Sequence, residues 1–148
     1  MEPLCCFIDT SALFKRYIQE SGSDIIDDIF ENARMIIISS LTVVEFVSNL
    51  KRLAEIDKLI DSDTYDAVKS EFFRDIADGR IKLEPVSSLN IVNSVNLIDK
   101  KYTTPIDSLQ LAVVSGLKGE YGNISFICSD KKLCGLAENE GINVVKAG

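Results

Sequence analysis

Short, wholly apolar runs alternate along this chain with longer stretches in which apolar residues recur every three or four positions. Apolar runs without polar alternation are typical of strands buried on both faces, whereas the longer spacing predicts amphipathic helices. The predicted strands occupy residues 5–8, 35–38, 81–86, 124–128 and 142–145. Helix-start signals fall near residues 11, 23, 41, 62, 87, 104 and 130. The fifth predicted helix has its apolar face at Ile91, Val92, Val95 and Ile98.

This alternation predicts an α/β fold in which helices cover both faces of a central parallel sheet, a three-layer α/β/α sandwich. Pro85 lacks a backbone donor, so the third strand is expected at an edge or to end there. Gly116, Gly119 and Gly122 predict a loosened segment before the fourth strand. Since the sequence has no repeats or obvious linkers, residues 1–148 are expected to form a single domain.

The composition is that of an ordinary globular protein, with 46% hydrophobic and 26% charged residues. No apolar run approaches the roughly 20 residues that a membrane span needs, and no secretory signal is evident, so a cytoplasmic location without membrane association is expected. Cys5, Cys6, Cys128 and Cys134 form no C-x-x-C pair, and the chain has no histidine. They are therefore interpreted as small buried thiols and not as zinc ligands.

The absence of histidine also limits the possible catalytic chemistry. It excludes a Ser-His-Asp triad, a Cys-His dyad and an imidazole general base. A hydrolase built from this chain must use carboxylates, lysine or a metal ion. The net charge of −7 argues against broad electrostatic capture of nucleic acid, although a cluster of metal-binding acids would itself contribute to that charge.

Four acids stand where chemistry could occur. Asp9 and Asp130 each follow a predicted buried strand, Asp107 opens a helix after Thr104 and Pro105, and Glu45 lies in the first turns of another helix. In a doubly wound sheet, strand ends and helix starts meet along one edge, so these side chains can converge. Crowded carboxylates require a cation, and oxygen ligands without histidine or thiolate favour Mg²⁺ or Mn²⁺.

Each acid also has a purely structural interpretation. Asp9, with Thr10 and Ser11, could simply cap the following helix. Asp107 and Asp130 could stabilise helix starts through the helix dipole, and Glu45 could lie on a solvated helix face. Because two strands end in the same hydroxyl-and-acid pattern in a chain without histidine, the joint interpretation as one site is favoured over the separate ones.

Four segments carry a resemblance to a known family. They are, in order, Phe7-Ile8-Asp9-Thr10-Ser11-Ala12-Leu13, Ser39-Ser40-Leu41-Thr42-Val43-Val44-Glu45, Ile106-Asp107-Ser108-Leu109-Gln110-Leu111-Ala112 and Ser129-Asp130-Lys131-Lys132-Leu133. In these segments the chain resembles the PIN-domain nucleases, especially the VapC-type ribonuclease toxins of type II toxin–antitoxin systems. Each motif is weak alone, but four in the family's order over nearly the whole chain are fairly specific.

The resemblance implies a five-stranded parallel sheet between helices and a metal-binding acidic cluster of Asp9, Glu45, Asp107 and Asp130. It also implies cleavage of single-stranded or structured RNA, frequent homodimers and inhibition by a cognate antitoxin protein. Such toxins often carry an arginine or leucine before the third motif, whereas this chain has Thr104-Pro105-Ile106 there. The resemblance therefore does not extend to substrate contacts in this segment. The basic residues expected near the acids are Lys15, Arg16, Lys131 and Lys132.

The leading functional prediction is a Mg²⁺- or Mn²⁺-dependent endoribonuclease in which a metal-activated water attacks the phosphodiester. A non-catalytic PIN-like module that binds RNA or a partner protein is the alternative. A phosphatase that forms an aspartyl phosphate is disfavoured, because enzymes of the haloacid dehalogenase type need a second acid two residues after the first and position 11 is serine.

Overall fold

The computed structural model describes residues 4–148 and contains, within that range, five strands and seven helices. The strands are β1 (Cys5–Ile8), β2 (Met35–Ser39), β3 (Lys82–Glu84), β4 (Ile124–Cys128) and β5 (Asn143–Lys146). The helices are α1 (Thr10–Phe14), α2 (Ser23–Asn32), α3 (Ser40–Glu55), α4 (Ser62–Ala77), α5 (Ser88–Lys100), α6 (Pro105–Tyr121) and α7 (Lys131–Asn139). No helix of this range is both long enough and apolar enough to cross a membrane.

The five strands form one parallel sheet in the order β3-β2-β1-β4-β5. β1 is the central strand and is buried along its whole length. Its side chains alternate between two apolar cores, with Cys6 and Ile8 on one face and Cys5 and Phe7 on the other. Helices α1 to α4 contribute to the first core, and α6 and α7 to the second. The predicted three-layer α/β/α sandwich is confirmed.

Most of the predicted helix starts are confirmed, and several of these helices begin at a capping side chain. The Ser87 hydroxyl accepts from Asn90 N at 3.1 Å, and the Asn90 side chain accepts from Ser87 N at 2.9 Å. Thr104 caps α6, with Pro105 as its first residue. As predicted, β3 is an edge strand.

Two helices differ in length from the sequence prediction. Only the five residues of α1 are helical, and the chain then turns over residues 15–18 although their apolar spacing predicted a continuing helix. The glycine-containing segment before β4 was predicted to be loosened, but α6 continues through Gly116 and Gly119 to Tyr121. The buried residues Val113, Val114 and Leu117 hold this part of α6 on the sheet, and burial of that face outweighs the roughly 1 kcal/mol that a glycine costs in a helix.

The apolar face of α5 does not lie in a core. Four of its side chains are exposed, namely Leu89, Ile91, Val92 and Val95, and Ser94 is its one fully buried residue. The helix packs mainly on α6. Sequence periodicity identified an apolar stripe here but could not tell whether the protein's own core covers it.

The interpretation of all four cysteines as thiols is wrong for two of them. Cys5 and Cys6 are free and buried, but Cys128 and Cys134 form a disulfide. Cys128 ends β4 and Cys134 lies in the first turns of α7, so the turn between them brings the two Cα atoms to 6.2 Å, within disulfide range. The six-residue separation gave no C-x-x-C signal, and the pairing follows from the strand-to-helix turn.

Candidate functional site

Asp9 lies at the carboxyl end of the central strand, immediately before α1. Its backbone N–H donates to Ile127 O at 2.9 Å, which holds it in line with β4. The side chain is almost wholly enclosed, with 6% of the residue exposed. Ser11 Oγ donates to Asp9 Oδ2 at 2.9 Å, and Gln110 Nε2 lies 3.3 Å from Oδ1. The carboxylate is therefore oriented by two side chains from different helices.

Burial is the main reason that the pKa of Asp9 is raised to about 6. The hydrogen bonds from Ser11 and Gln110 favour the charged form and oppose this rise. Repulsion from Glu45 and Asp107 adds to it. Asp9 is thus a buried acid whose negative charge is costly in the absence of a cation.

Glu45 lies in the second turn of α3 and is half-buried. The Thr10 hydroxyl, from the start of α1, donates a hydrogen bond to its carboxylate. Thr10 Oγ1 also lies 3.4 Å from Thr42 Oγ1, and both threonines are buried. Glu45 is therefore tied to the residue that follows Asp9, which contradicts the interpretation of Glu45 as a free residue on a solvated face.

Asp107 lies in the first turn of α6, where Thr104 caps the helix. Burial raises the pKa of Asp107, the hydrogen bond with Thr104 opposes the rise, Asp130 adds to it, and the Lys132 ammonium lowers it. Asp130 caps α7, since its Oδ1 accepts from Lys132 N at 2.8 Å and Leu133 N at 3.2 Å. The structural interpretation of these two acids is thus correct in part, and Asp130 is also near enough to Asp107 to act on it electrostatically.

Glu45 and Asp107 each repel the Asp9 carboxylate, and Asp130 repels the Asp107 carboxylate. Among residues 4–148, however, no three acidic or cysteine side chains stand close enough to ligate one ion as they are placed. The donor chemistry fits a hard cation, because all four groups offer oxygen. Mg²⁺ commonly uses one or two carboxylates and keeps several waters, so a pair of these acids suffices for direct ligation.

Sequence reasoning missed the polar residues that connect the acids. Gln110 is completely buried in the middle of α6, and its Nε2 lies 2.8 Å from Thr42 Oγ1 as well as near Asp9. Its Oε1 has no hydrogen-bond partner among the described residues. Gln110 and Thr42 thus bridge Asp9 to the Thr10–Glu45 pair. A glutamine one turn after Asp107 on a buried helix face was the available signal.

The four expected basic residues divide into two pairs. Lys15 forms a 3.3 Å salt bridge with Glu20, and Arg16 lies 3.9 Å from Asp75 with its guanidinium over the ring of Phe30. Both are engaged within the fold, so neither offers a free cation to a ligand beside the acids. Lys131 and Lys132, at the start of α7, are exposed.

The model of the PIN domain family matches residues 6–139. No curated protein sequence matches the chain. Three solved structures illustrate its structural similarity. FitAcB from Neisseria gonorrhoeae has a TM-score of 0.67 at 12% identity, covering 96% of this chain and 97% of the other. VapC20 from Mycobacterium tuberculosis, described as a sarcin–ricin loop cleaving toxin, has 0.65 at 12%, covering 95% and 98%.

DNA-bound VapBC from Salmonella typhimurium has a TM-score of 0.59 at 14% identity, covering 98% of this chain and 99% of the other. At these identities the likeness concerns the fold. The match of the family model to almost the whole sequence supplies the assignment, and the five-stranded parallel sheet agrees with it. The chain belongs to the PIN-domain family.

Proposed function

We propose that this protein is a metal-dependent endoribonuclease in which Asp9, Glu45, Asp107 and Asp130 form the site for Mg²⁺ or Mn²⁺. One observation carries the proposal. Asp9 is a nearly enclosed carboxylate at the end of the central strand, and two further acids repel it. A fold that needed only a helix cap at this position would not bring additional negative charge to it, whereas a bound cation would reverse the electrostatic cost.

Two of the four residues are held in place by neighbouring side chains. Asp9, oriented by Ser11 and Gln110, offers the most firmly held carboxylate, and Glu45 is positioned by Thr10. When bound, the ion supplies an activated water and stabilises the charge that develops on the phosphodiester. Because water is the nucleophile, the products should carry 5′-phosphate and 3′-hydroxyl ends.

Metal binding is tested by thermal unfolding with and without Mn²⁺. A ligand that binds only the folded state raises its stability, so Mn²⁺ should raise the Tm of the wild type. The double variant Asp9→Asn and Asp107→Asn should lose that rise. A matched control is Asp24→Asn with Asp63→Asn, which changes two other aspartates in the first turns of helices and should keep it. An equal Mn²⁺-dependent rise in Tm in both double variants would contradict a metal site that includes Asp9 and Asp107.

A non-catalytic PIN-like module is the second candidate, and one observation favours it. No three potential ligand side chains of residues 4–148 are gathered tightly enough to hold one ion as they stand. In that case the wild type would show neither a Mn²⁺-dependent rise in Tm nor cleavage of RNA.

We further propose that a cognate antitoxin protein controls this nuclease in the cytoplasm. The support is that structural neighbours include FitAcB and VapBC and that another, VapC20, is described as a toxin. A metal-dependent ribonuclease with no bound inhibitor would cleave RNA in the cell, so an inhibitor is needed to control it. A toxin–antitoxin role accounts for both the expected chemistry and the resemblance.

A homodimer is proposed through the exposed apolar face of α5. Residues 85–98 include no charged side chain in a sequence that is 26% charged. Two copies that each carry a charge of −7 meet with least repulsion at an uncharged apolar face. The occupant of this face is therefore taken to be a second copy.

A further inference from the structure

Tyr102 is the most exposed aromatic side chain of the described residues, with 72% of it accessible. The ammonium of Lys132 lies over its ring, 5.3 Å from the centroid. An aromatic ring left in water forgoes the stabilisation that its burial would give. This ring is therefore available to stack on a group outside the chain.

The Tyr102–Lys132 pair stands beside the acids of the proposed nuclease site. Tyr102 lies two residues before Thr104, the cap of α6, and Lys132 is in the first turn of α7. These two helix starts carry Asp107 and Asp130 respectively. Lys132 is near enough to Asp107 to act on it electrostatically.

Lys131 and Lys132 are both exposed and accessible to an external partner. Neither takes part in a salt bridge within residues 4–148. A stacking surface next to free cations is the combination by which proteins hold single-stranded nucleic acid. A cation beside an otherwise acidic site also offsets the repulsion that a phosphate would meet there.

We propose that Tyr102 and Lys132 form a binding site for one unpaired nucleotide of the RNA, with its base stacked on the face of the Tyr102 ring that Lys132 does not cover and its phosphate paired with Lys132. This inference rests on the proposed ribonuclease function and deepens it by naming the two residues that would hold an unpaired nucleotide beside the acids. A duplex cannot present a free base face to the ring, because its bases are stacked on one another.

Other lysine–tyrosine pairs provide a comparison. Lys82 lies over Tyr121 but also donates to its hydroxyl at 2.7 Å, so this pair is satisfied internally. Tyr65 on α4 lies between Lys51 and Lys69, at 4.8 and 5.1 Å from the ring centroid. It resembles Tyr102 in its charge surroundings but is half-buried and lies on a different helix from each acid of the site. Tyr65 is therefore a matched control.

The test uses the absence of tryptophan from the sequence. Tyr102→Trp introduces a single tryptophan into the full chain, whose emission can be excited apart from that of the remaining tyrosines, and Tyr65→Trp introduces the same reporter at the control position. Each variant is titrated in EDTA, which prevents metal-dependent cleavage, with a single-stranded oligoribonucleotide and with an RNA duplex of equal length. Stacking of a base on the indole should quench the fluorescence of Tyr102→Trp with the single strand and leave Tyr65→Trp unchanged.

Cleavage kinetics give the second readout. Tyr102→Ala and Lys132→Gln should each raise KM for single-stranded RNA about tenfold with kcat little changed, and Tyr102→Phe should stay near wild type, because base stacking needs the ring and not the hydroxyl. If the wild type cleaves RNA but Tyr102→Ala and Lys132→Gln match it and Tyr102→Trp is not quenched, this inference fails and the proposed function stands. Equal quenching by duplex would also overturn it. A wild type that neither cleaves nor binds RNA would overturn both.

Discussion

The buried carboxylate of Asp9 lowers the stability of the folded protein. Its carboxylate is enclosed at the end of β1, and the hydrogen bonds from Ser11 and Gln110 recover only part of the hydration it loses. Gln110 shares this character, because it is fully buried with an unpartnered Oε1. Polar groups that a core would ordinarily exclude are therefore concentrated at one end of the sheet, as expected of a functional site.

The raised pKa of Asp9 predicts a pH-dependent stability. Between about pH 4 and pH 6 the unfolded chain has released the Asp9 proton while the folded protein still holds it, so stability should fall as pH rises through this range. Above about pH 6 both states are ionised and the loss is complete, on the order of 3 kcal/mol. Denaturant unfolding in EDTA between pH 4.5 and 7.5 should therefore show a steeper decline for the wild type than for Asp9→Asn. Parallel declines would contradict the burial of a titrating Asp9.

Three of the four candidate acids stand out in the sequence because each lies at a recognisable boundary. Asp9 and Asp130 follow apolar strands, and Asp107 follows a cap-and-proline signal. The contact between Gln110 and Asp9 could not be predicted, since the two residues are 101 positions apart and meet only through the strand order. The ion pair between Arg16 and Asp75 could not be predicted for the same reason.

At the level of the element, α7 depends on a residue that is also assigned to the proposed site. Both cap hydrogen bonds of Asp130 go to Oδ1. Asparagine caps a helix about as well as aspartate, so Asp130→Asn should keep the stability of the wild type, while Asp130→Ala should lose about 1 kcal/mol. If the charge serves a cation, both variants should lose cleavage by about tenfold or more. Urea unfolding beside single-turnover cleavage separates the two roles.

The control for this prediction is Asp61, which caps α4 by accepting from Thr64 N at 2.8 Å. Asp61→Ala should lose a similar amount of stability and keep full cleavage. Cleavage by Asp130→Asn at the wild-type rate would leave Asp130 as a helix cap alone.

The strands could be predicted from the sequence more fully than the helices α5 and α6. The interior strands were found because burial on both faces makes them wholly apolar, as in β1 and β4. The length of α6 was underestimated, because a glycine's cost is local while the packing of the following turns is not. For α5, periodicity identified the apolar stripe but could not show whether it faces the core, a partner or water.

At the scale of the whole molecule, the exposed stripe of α5 predicts self-association. Val92→Glu places a charge in the middle of this face and should convert the homodimer to a monomer, measured by light scattering after gel filtration. Leu59→Glu is the matched control, because Leu59 is even more exposed but lies between α3 and α4. A dimer that survives Val92→Glu would place the interface elsewhere.

We propose that this PIN-domain protein cleaves RNA with a cation held by its acids. The most direct measurement is cleavage of single-stranded RNA by the wild type, Asp9→Asn and Glu45→Gln in Mn²⁺ and in EDTA, with mapping of the product ends. We expect 5′-phosphate ends from the wild type in Mn²⁺, no cleavage in EDTA, and a loss of about 100-fold or more in both variants. Cleavage that persists in EDTA, cyclic-phosphate ends, or variants that cleave like the wild type would contradict the account.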